Sequence, residues 1–129
     1  MIVVDMSTLS NASNDWFGAS NEAQLSVDVF RDGEELVIRS LAAGVNPEDL
    51  DISIHGDLLT IRGKREQSKQ TSSEDSFYRE CYWGSFSRSI VLPHEVASDS
   101  AKASLKNGVL EIRLPIREQG KKLNVTWEE

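Results

Sequence analysis

Apolar and polar residues alternate along most of the chain after its first two dozen residues. In QLSVDVF, the side chains of Leu25, Val27 and Val29 share one face, and Ser26 and Asp28 take the other. Such a period of two is typical of a β-strand with one buried face. Because no window has a long helical period, we predict an all-β chain of about eight short strands, packed as an immunoglobulin-like two-sheet sandwich.

Glycine and proline mark the ends of several strands. The segment RDGE predicts a hairpin turn in which Gly33 adopts a positive φ. Pro47 excludes a continuous strand from the corner AAGVNPEDL, and Gly56 begins a second tight turn. Between them, ELVIRSLA is apolar on both faces, which is typical of a strand inside a sheet.

The Asn107-Gly108 dipeptide predicts the tightest hairpin of the chain. These two residue types adopt a positive φ more readily than any others, as both central positions of a two-residue turn require. We therefore predict paired strands at 101–105 and 109–114, with the leucines and the isoleucine of GVLEIRLP in the core.

A polar stretch, KREQSKQTSSED, is too hydrophilic for a core and is interpreted as a projecting loop. SFYREC, near its end, is predicted as a short strand, with a loop inside its own chain as the alternative. The next strand, GSFSRSIVL, places Arg88 on the face of Phe86 and Ile90. Either Arg88 meets an acidic partner, in this chain or at an interface, or the strand twists and its side chain reaches water.

The two ends of the chain lack this regular pattern. Residues 1–23 are predicted to form an arm, whose apolar features are MIVV and the pair Trp16 and Phe17. The aromatic pair either packs on the domain or belongs to an exposed adhesive surface. Residues 24–115 form the predicted domain, and residues 116–129 form a tail.

Charge and cysteine content narrow the class of function. Lys+Arg 14 against Asp+Glu 21 gives a net charge of −7, which opposes binding to nucleic acid. The run MIVV is too short for a signal peptide or a membrane span. The single cysteine excludes an internal disulfide and is typical of a reducing compartment, so a cytoplasmic location is predicted.

No pattern of residues indicates catalysis or a bound cofactor. Phosphate-binding glycine loops are missing from the sequence, and His55 and His94 belong to no metal-ligand array. Nothing near Cys81 supports a Cys–His dyad, and the carboxylates are scattered over turns and strand ends. We expect no catalytic, cofactor or metal site, and interpret the chain as a binding or assembly module rather than an enzyme.

The segment ASLKNGVL resembles the signature A-x-x-x-N-G-V-L of the small heat shock protein (Hsp20/α-crystallin domain) family. GSFSRSIVLP is similar to that family's strand before a Leu-Pro corner, and LAAGVNPEDLDISIHGDLLTIRGKRE to its earlier half. LNV resembles the family's C-terminal [I/L/V]-x-[I/L/V] motif. The matching residues of the signature are Ala103, Asn107, Gly108, Val109 and Leu110.

The resemblance implies an ATP-independent chaperone, a holdase that binds non-native client proteins and prevents their aggregation. It also implies strand-exchanged homodimers that assemble into larger homo-oligomers through a C-terminal motif, here Leu123 and Val125, docked in a neighbour's groove. The implied groove residues are Leu50, Ile52, Ile54, Ala103 and Leu105. The implied client-binding candidates are Ile2, Val3, Val4, Trp16 and Phe17.

In the bacterial, archaeal and plant form of the family, a strand of the long loop joins the partner's sheet. Here that implies pairing of SFYRE with the partner's strand near residues 24–30. The implied interface residues are Phe77, Tyr78, Arg79, Glu80 and Arg88. The sequence departs from the family at Ala43, where proline is common, at Ile116, where a basic residue is usual, and in its short arm.

Two alternatives remain open at this point. A co-chaperone-like adaptor that binds one folded partner fits the short arm, although LNV argues against it. The tail containing LNV is alternatively a frayed end, or a strand folded back on its own domain.

Overall fold

The computed structural model describes residues 22–69, 71–117 and 123–128. That part of the chain contains eight strands and two 3₁₀ turns, at Pro47–Asp49 and Ser98–Ser100. The all-β prediction is confirmed. The strands are β1 (Ala23–Gln24), β2 (Val27–Asp32), β3 (Glu35–Leu41), β4 (Leu50–His55), β5 (Leu58–Arg65), β6 (Gly84–Val91), β7 (Lys102–Lys106) and β8 (Val109–Pro115).

The strands form two four-stranded sheets. The first sheet has the order β1-β6-β5-β4, with β1 parallel to β6 and the other neighbours antiparallel. The second has the order β2-β3-β8-β7 and is antiparallel throughout. As its two apolar faces predict, β3 lies inside a sheet. The edges belong to β1 and β4 in one sheet and to β2 and β7 in the other.

One hydrophobic core joins the two sheets. Leucine and isoleucine side chains from both inner faces are almost completely buried, and each stabilises the fold by about 1.5–3 kcal/mol. The most deeply buried members are Leu36, Ile38, Ile52, Leu59, Ile61, Leu110, Ile112 and Leu114. The inward direction of GVLEIRLP is therefore confirmed.

The Asn107-Gly108 turn has the predicted conformation. Asn107 has φ 53° and Gly108 has φ 77°, the pair of positive values that a two-residue hairpin requires. The backbone N–H of Ala42 donates to the carbonyl oxygen of Gly108 at 2.7 Å. A side chain at Gly108 would place its Cβ 3.1 Å from the Cα of Ala43. The hairpin thus holds the corner that carries the chain from β3 towards β4.

The segment predicted as a short strand, SFYREC, is not a strand in the structure. The described residues between β5 and β6 form turns and irregular backbone. A strand requires a neighbour for its backbone hydrogen bonds, and the described residues provide none beside this segment. The eighth strand is instead β1, whose two residues pair with Phe86 and Ser87 of β6.

Candidate interaction surfaces

The sandwich has two sides at which the edges of both sheets meet. Leu25 and Ser26 alone connect β1 to β2, so the edges formed by these two strands lie on one side, the β1/β2 side. The edges formed by β4 and β7 consequently lie on the opposite side, the β4/β7 side. An edge strand presents unpaired backbone groups that another chain can bond.

The predicted groove residues lie on the β4/β7 side. Three of them, Leu50, Ile52 and Ala103, are buried in the core. Ile54 and Leu105 are only partly buried and pack against that core. The structure therefore places the five residues on two edge strands of one side, and leaves Ile54 and Leu105 to provide the accessible apolar surface.

The β1/β2 side also has incompletely covered apolar residues. Val29, on edge strand β2, is 39% exposed although it shares a face with Val27. Val27 and Ile90 are partly buried against the core. In the described part of the chain, β1 covers β6 only at Phe86 and Ser87, so most of that edge has no partner strand.

Arg88 lies on this side and faces inwards, opposite Ile61 of β5 in the register. Its Nη1 donates to the carbonyl oxygen of Leu25 at 3.4 Å, and the described residues place no carboxylate at ion-pair distance from it. The side chain lines a shallow recess of about 330 Å³ together with Glu22 and Gln24. The predicted acidic partner is thus not found within the described chain.

The loop around SFYRE is closed by Arg79. Its Nε donates to Ser76 Oγ at 3.0 Å, and its Nη2 donates to the carbonyl oxygen of Thr71 at 2.6 Å. Phe77 and Tyr78 project from this loop with 91% and 86% of their surface exposed. The predicted interface residues of this loop are therefore accessible, but Arg79 already has partners inside its own loop.

Two further aromatic residues of the loop were missed by the sequence reasoning. Tyr82 and Trp83 are 37% and 43% exposed, and the Tyr82 hydroxyl donates to the carbonyl oxygen of Ser85. The sequence feature that could have identified them is the dipeptide Tyr82-Trp83, two adjacent large aromatic residues near a hydrophilic segment.

Residues 123–128 of the tail expose their apolar side chains almost completely. Leu123 is 79% and Val125 is 95% exposed, and residues 123–128 form no strand. Residues 123–128 thus form no strand on the described part of their own domain. Trp127, which the sequence reasoning did not select, is 88% exposed beside them.

Charged side chains form a network on the outer face of the second sheet. Arg113 contacts Glu111 at 2.6 Å, Asp32 at 3.1 Å and Glu35 at 3.2 Å. Arg39 contacts Glu111 at 3.1 Å from the other side. Hydrogen bonds from Arg113 and then from Arg39 lower the pKa of Glu111, and the carboxylates raise the pKa of Arg113. The network links β2, β3 and β8.

The histidines and the cysteine considered for chemistry differ in their exposure. His55 and Cys81 are exposed, and His94 is half-buried. Across the described residues, no group of three or more His, Cys, Asp and Glu side chains is arranged to hold a metal ion. Within the same ranges, no helix has the length and apolar content needed to cross a membrane.

The family model and the curated relatives that match this chain belong to the same family. A family model described as Hsp20/alpha crystallin family matches residues 28–126. Small heat shock protein C2 of Rickettsia felis is 42% identical over 78 residues, which are 60% of this chain and 51% of that protein. The chain spans about half to two thirds of the length of such curated relatives.

Solved structures agree with the fold. The hspA from Xanthomonas axonopodis is 31% identical and matches with a TM-score of 0.67, over 74% of this chain and 96% of that one. A small heat-shock protein from Xylella fastidiosa is 26% identical with a TM-score of 0.67, over 81% of this chain and 96% of that one. The latter structure is described as revealing a distinct high order structure.

Proposed function

The chain belongs to the Hsp20/alpha crystallin family, and on that premise we propose that it is an ATP-independent cytoplasmic chaperone. It holds non-native proteins and prevents their aggregation, as strand-exchanged dimers that assemble into larger homo-oligomers. The observation that carries the proposal is that one chain combines two incompletely covered apolar sides with an exposed apolar tail. Exposed apolar surface is unfavourable in water, and reversible covering by other polypeptides relieves it.

The dimer forms on the β1/β2 side. Among the residues that the structure describes, no strand lies beside residues 76–80, and β2 has an open edge, so each supplies what the other lacks. Pairing of residues 76–80 with β2 of a second copy covers Phe77 and Tyr78. The same exchange carries Glu80 of the second copy towards this side, where Arg88 has no carboxylate partner in the described chain.

Larger assembly uses the tail and the β4/β7 side. Burial of Leu123 and of Val125 each yields about 1.5–3 kcal/mol, whereas ordering the preceding chain costs on the order of 1 kcal/mol per residue. A single docked tail is therefore weak, and several tails hold an oligomer together only collectively. This weakness makes exchange rapid, and each release of a tail frees apolar surface for a client.

The proposal is tested by aggregation of a heat-labile model protein in the absence of nucleotide. We expect the chain to suppress light scattering at substoichiometric to equimolar amounts, and added ATP to leave this suppression unchanged. An inert protein at equal mass should not suppress the scattering. Unchanged aggregation over this range at elevated temperature would refute the holdase. Recovery of one stoichiometric folded partner, instead of many heat-labile chains, would indicate the adaptor.

A further inference from the structure

The tail has three apolar side chains at regular spacing. Leu123, Val125 and Trp127 occupy every second position, so in an extended strand all three lie on one face. Asn124 and Thr126 lie on the other face. All three apolar side chains are at least 79% exposed. Tryptophan is among the residue types that contribute most to binding when they become buried.

The backbone trace identifies one end of the β4/β7 side. The turn after β4 contacts the segment after β6, where the N–H of Leu92 donates to the carbonyl oxygen of Asp57 at 2.7 Å. That segment then pairs Val96 with Ile116 and enters β7 through Ala101. The end of β4, the start of β7 and Ile116 are therefore neighbours at the same end of the sandwich.

Along the β4/β7 side, this end has more partly buried apolar residues packed against the core than the opposite end. Ile54, Ala101 and Ile116 are all partly buried residues that pack against the core, and we call them the open end. At the opposite end, Leu105 is the residue of this group that packs against the core. The backbone N–H of Ala42 there donates to the carbonyl oxygen of Gly108, so the corner at Ala42 lies against the Asn107-Gly108 hairpin. A large aromatic side chain therefore finds more apolar contact at the open end.

We propose that Trp127 is a third anchor of the tail and docks on the open end of a second copy of this chain. The inference rests on the proposed docking of Leu123 and Val125 on the same side. The four-residue step from Leu123 to Trp127 equals that from Leu50 to Ile54 along edge strand β4. With Trp127 at the open end, the tail runs parallel to β4 and antiparallel to β7.

A second copy, rather than the tail's own domain, is the receptor. Trp127 is 88% exposed in the single chain, so its own open end does not hold it. Ile116 lies only 11 positions before Trp127 in the sequence. To reach its own open end in the proposed direction, the tail would have to travel to the far end of the sandwich and return.

The first test compares full-length variants by the concentration at which the oligomer dissociates on dilution. Trp127→Ala is expected to raise that concentration at least about tenfold, since loss of a buried tryptophan anchor typically has an effect of this size or larger. Trp127→Phe is expected to have a smaller effect, and Thr126→Ala, on the opposite face, none. Equal behaviour of Trp127→Ala and Thr126→Ala would overturn the inference.

Leu123→Ala with Val125→Ala separates this inference from the proposed function. Dissociation of that double variant, together with an unaffected Trp127→Ala variant, would refute only the third anchor. An unchanged oligomer in both would also refute tail docking, whereas the aggregation assay addresses the holdase independently. Dissociation in both supports the three-anchor tail.

The second test determines the direction of the tail by disulfide formation. In a Cys81→Ser background, Trp127→Cys is combined with either Ile54→Cys or Leu105→Cys. Because a disulfide requires Cα atoms within about 7 Å, we expect cross-linked pairs of chains with Ile54→Cys and few with Leu105→Cys. The reverse preference, or none, would contradict docking at the open end.

Discussion

At the scale of single residues, the ring of Phe86 packs so closely against Gly63 that position 63 has no room for a side chain. A Cβ at this position would lie 2.6 Å from Cζ of Phe86 and 3.0 Å from the carbonyl oxygen of Asp49. The same ring has the guanidinium of Arg65 5.6 Å from its centroid. The glycine that ends LLTIRG is thus explained by close packing between β5 and β6.

We therefore predict that Gly63→Ala destabilises the fold by about 1–3 kcal/mol, the usual cost of overpacking a core. The direction of this stability change is informative, because alanine in the interior of a strand is otherwise favoured over glycine. The measurement is the midpoint of chemical denaturation. Phe86→Leu should reduce the penalty in a double-mutant cycle, and a Gly63→Ala variant as stable as wild type would contradict the packing argument.

Arg88 belongs to the same scale, and we propose that it serves the dimer interface. In the single chain its hydrogen bond to the carbonyl oxygen of Leu25 is long, at 3.4 Å, so truncation of the side chain removes little stability from the folded monomer. We predict that Arg88→Ala lowers the stability of the dimer or its solubility while the domain stays folded. Arg62→Ala is the matched control, since Arg62 is exposed on the same sheet. A soluble Arg88→Ala variant of normal size would contradict the interfacial role.

At the scale of elements, the strands with local signals were predictable from the sequence. Alternation, the glycine turns and Pro47 define β2 to β5, and Asn107-Gly108 defines β7 and β8. Two features depend on neighbours that are remote in sequence. The two-residue β1 exists only because β6 lies beside it, and SFYREC is no strand because no strand of the described residues lies beside it.

The charge network on the second sheet predicts a specific pH dependence. Hydrogen bonds from Arg113 and Arg39 lower the pKa of Glu111 below its ordinary value of 4.5. A lowered folded-state pKa stabilises the fold above the ordinary value, and this stabilisation is lost as the pH falls through the lowered pKa.

Glu111→Gln should accordingly lower the free energy of unfolding at pH 7 by on the order of 0.5–1 kcal/mol, as expected for a largely solvent-screened pair. The difference from wild type should shrink as the pH falls below 4.5. Denaturation at several pH values measures this, with Glu34→Gln as a control because Glu34 is mostly exposed and 3.9 Å from Arg31. A difference that grows towards low pH would contradict the assignment.

At the scale of the whole molecule, the sequence indicated surfaces for assembly but did not distinguish the residues within them. The implied groove residues lie on edge strands β4 and β7, yet Leu50, Ile52 and Ala103 are core residues, because a period of two does not distinguish a buried position from the wall of a groove. The reasoning also missed Trp127, although its spacing from Val125 continues that of the tail motif. The N-terminal arm, with Ile2, Val3, Val4, Trp16 and Phe17, lies outside the described residues, and its role in client binding stays a prediction.

The two open sides and the tail give a single picture of assembly. In the proposed assembly, the β1/β2 side would pair two copies through exchanged segments, and the β4/β7 side would receive tails from further copies. The first interaction would use backbone hydrogen bonds along a strand, and the second a few apolar side chains. We therefore expect the dimer to be the stable unit and the larger particle to be the reversible one.

Native mass spectrometry of the full-length chain tests this central claim most directly. We predict particles whose masses are even multiples of the 14.4 kDa chain, and their collapse to the dimer when Leu123 and Val125 are both changed to alanine. A wild-type chain that remains monomeric at micromolar concentration, or a double variant with an unchanged particle mass, would contradict the account.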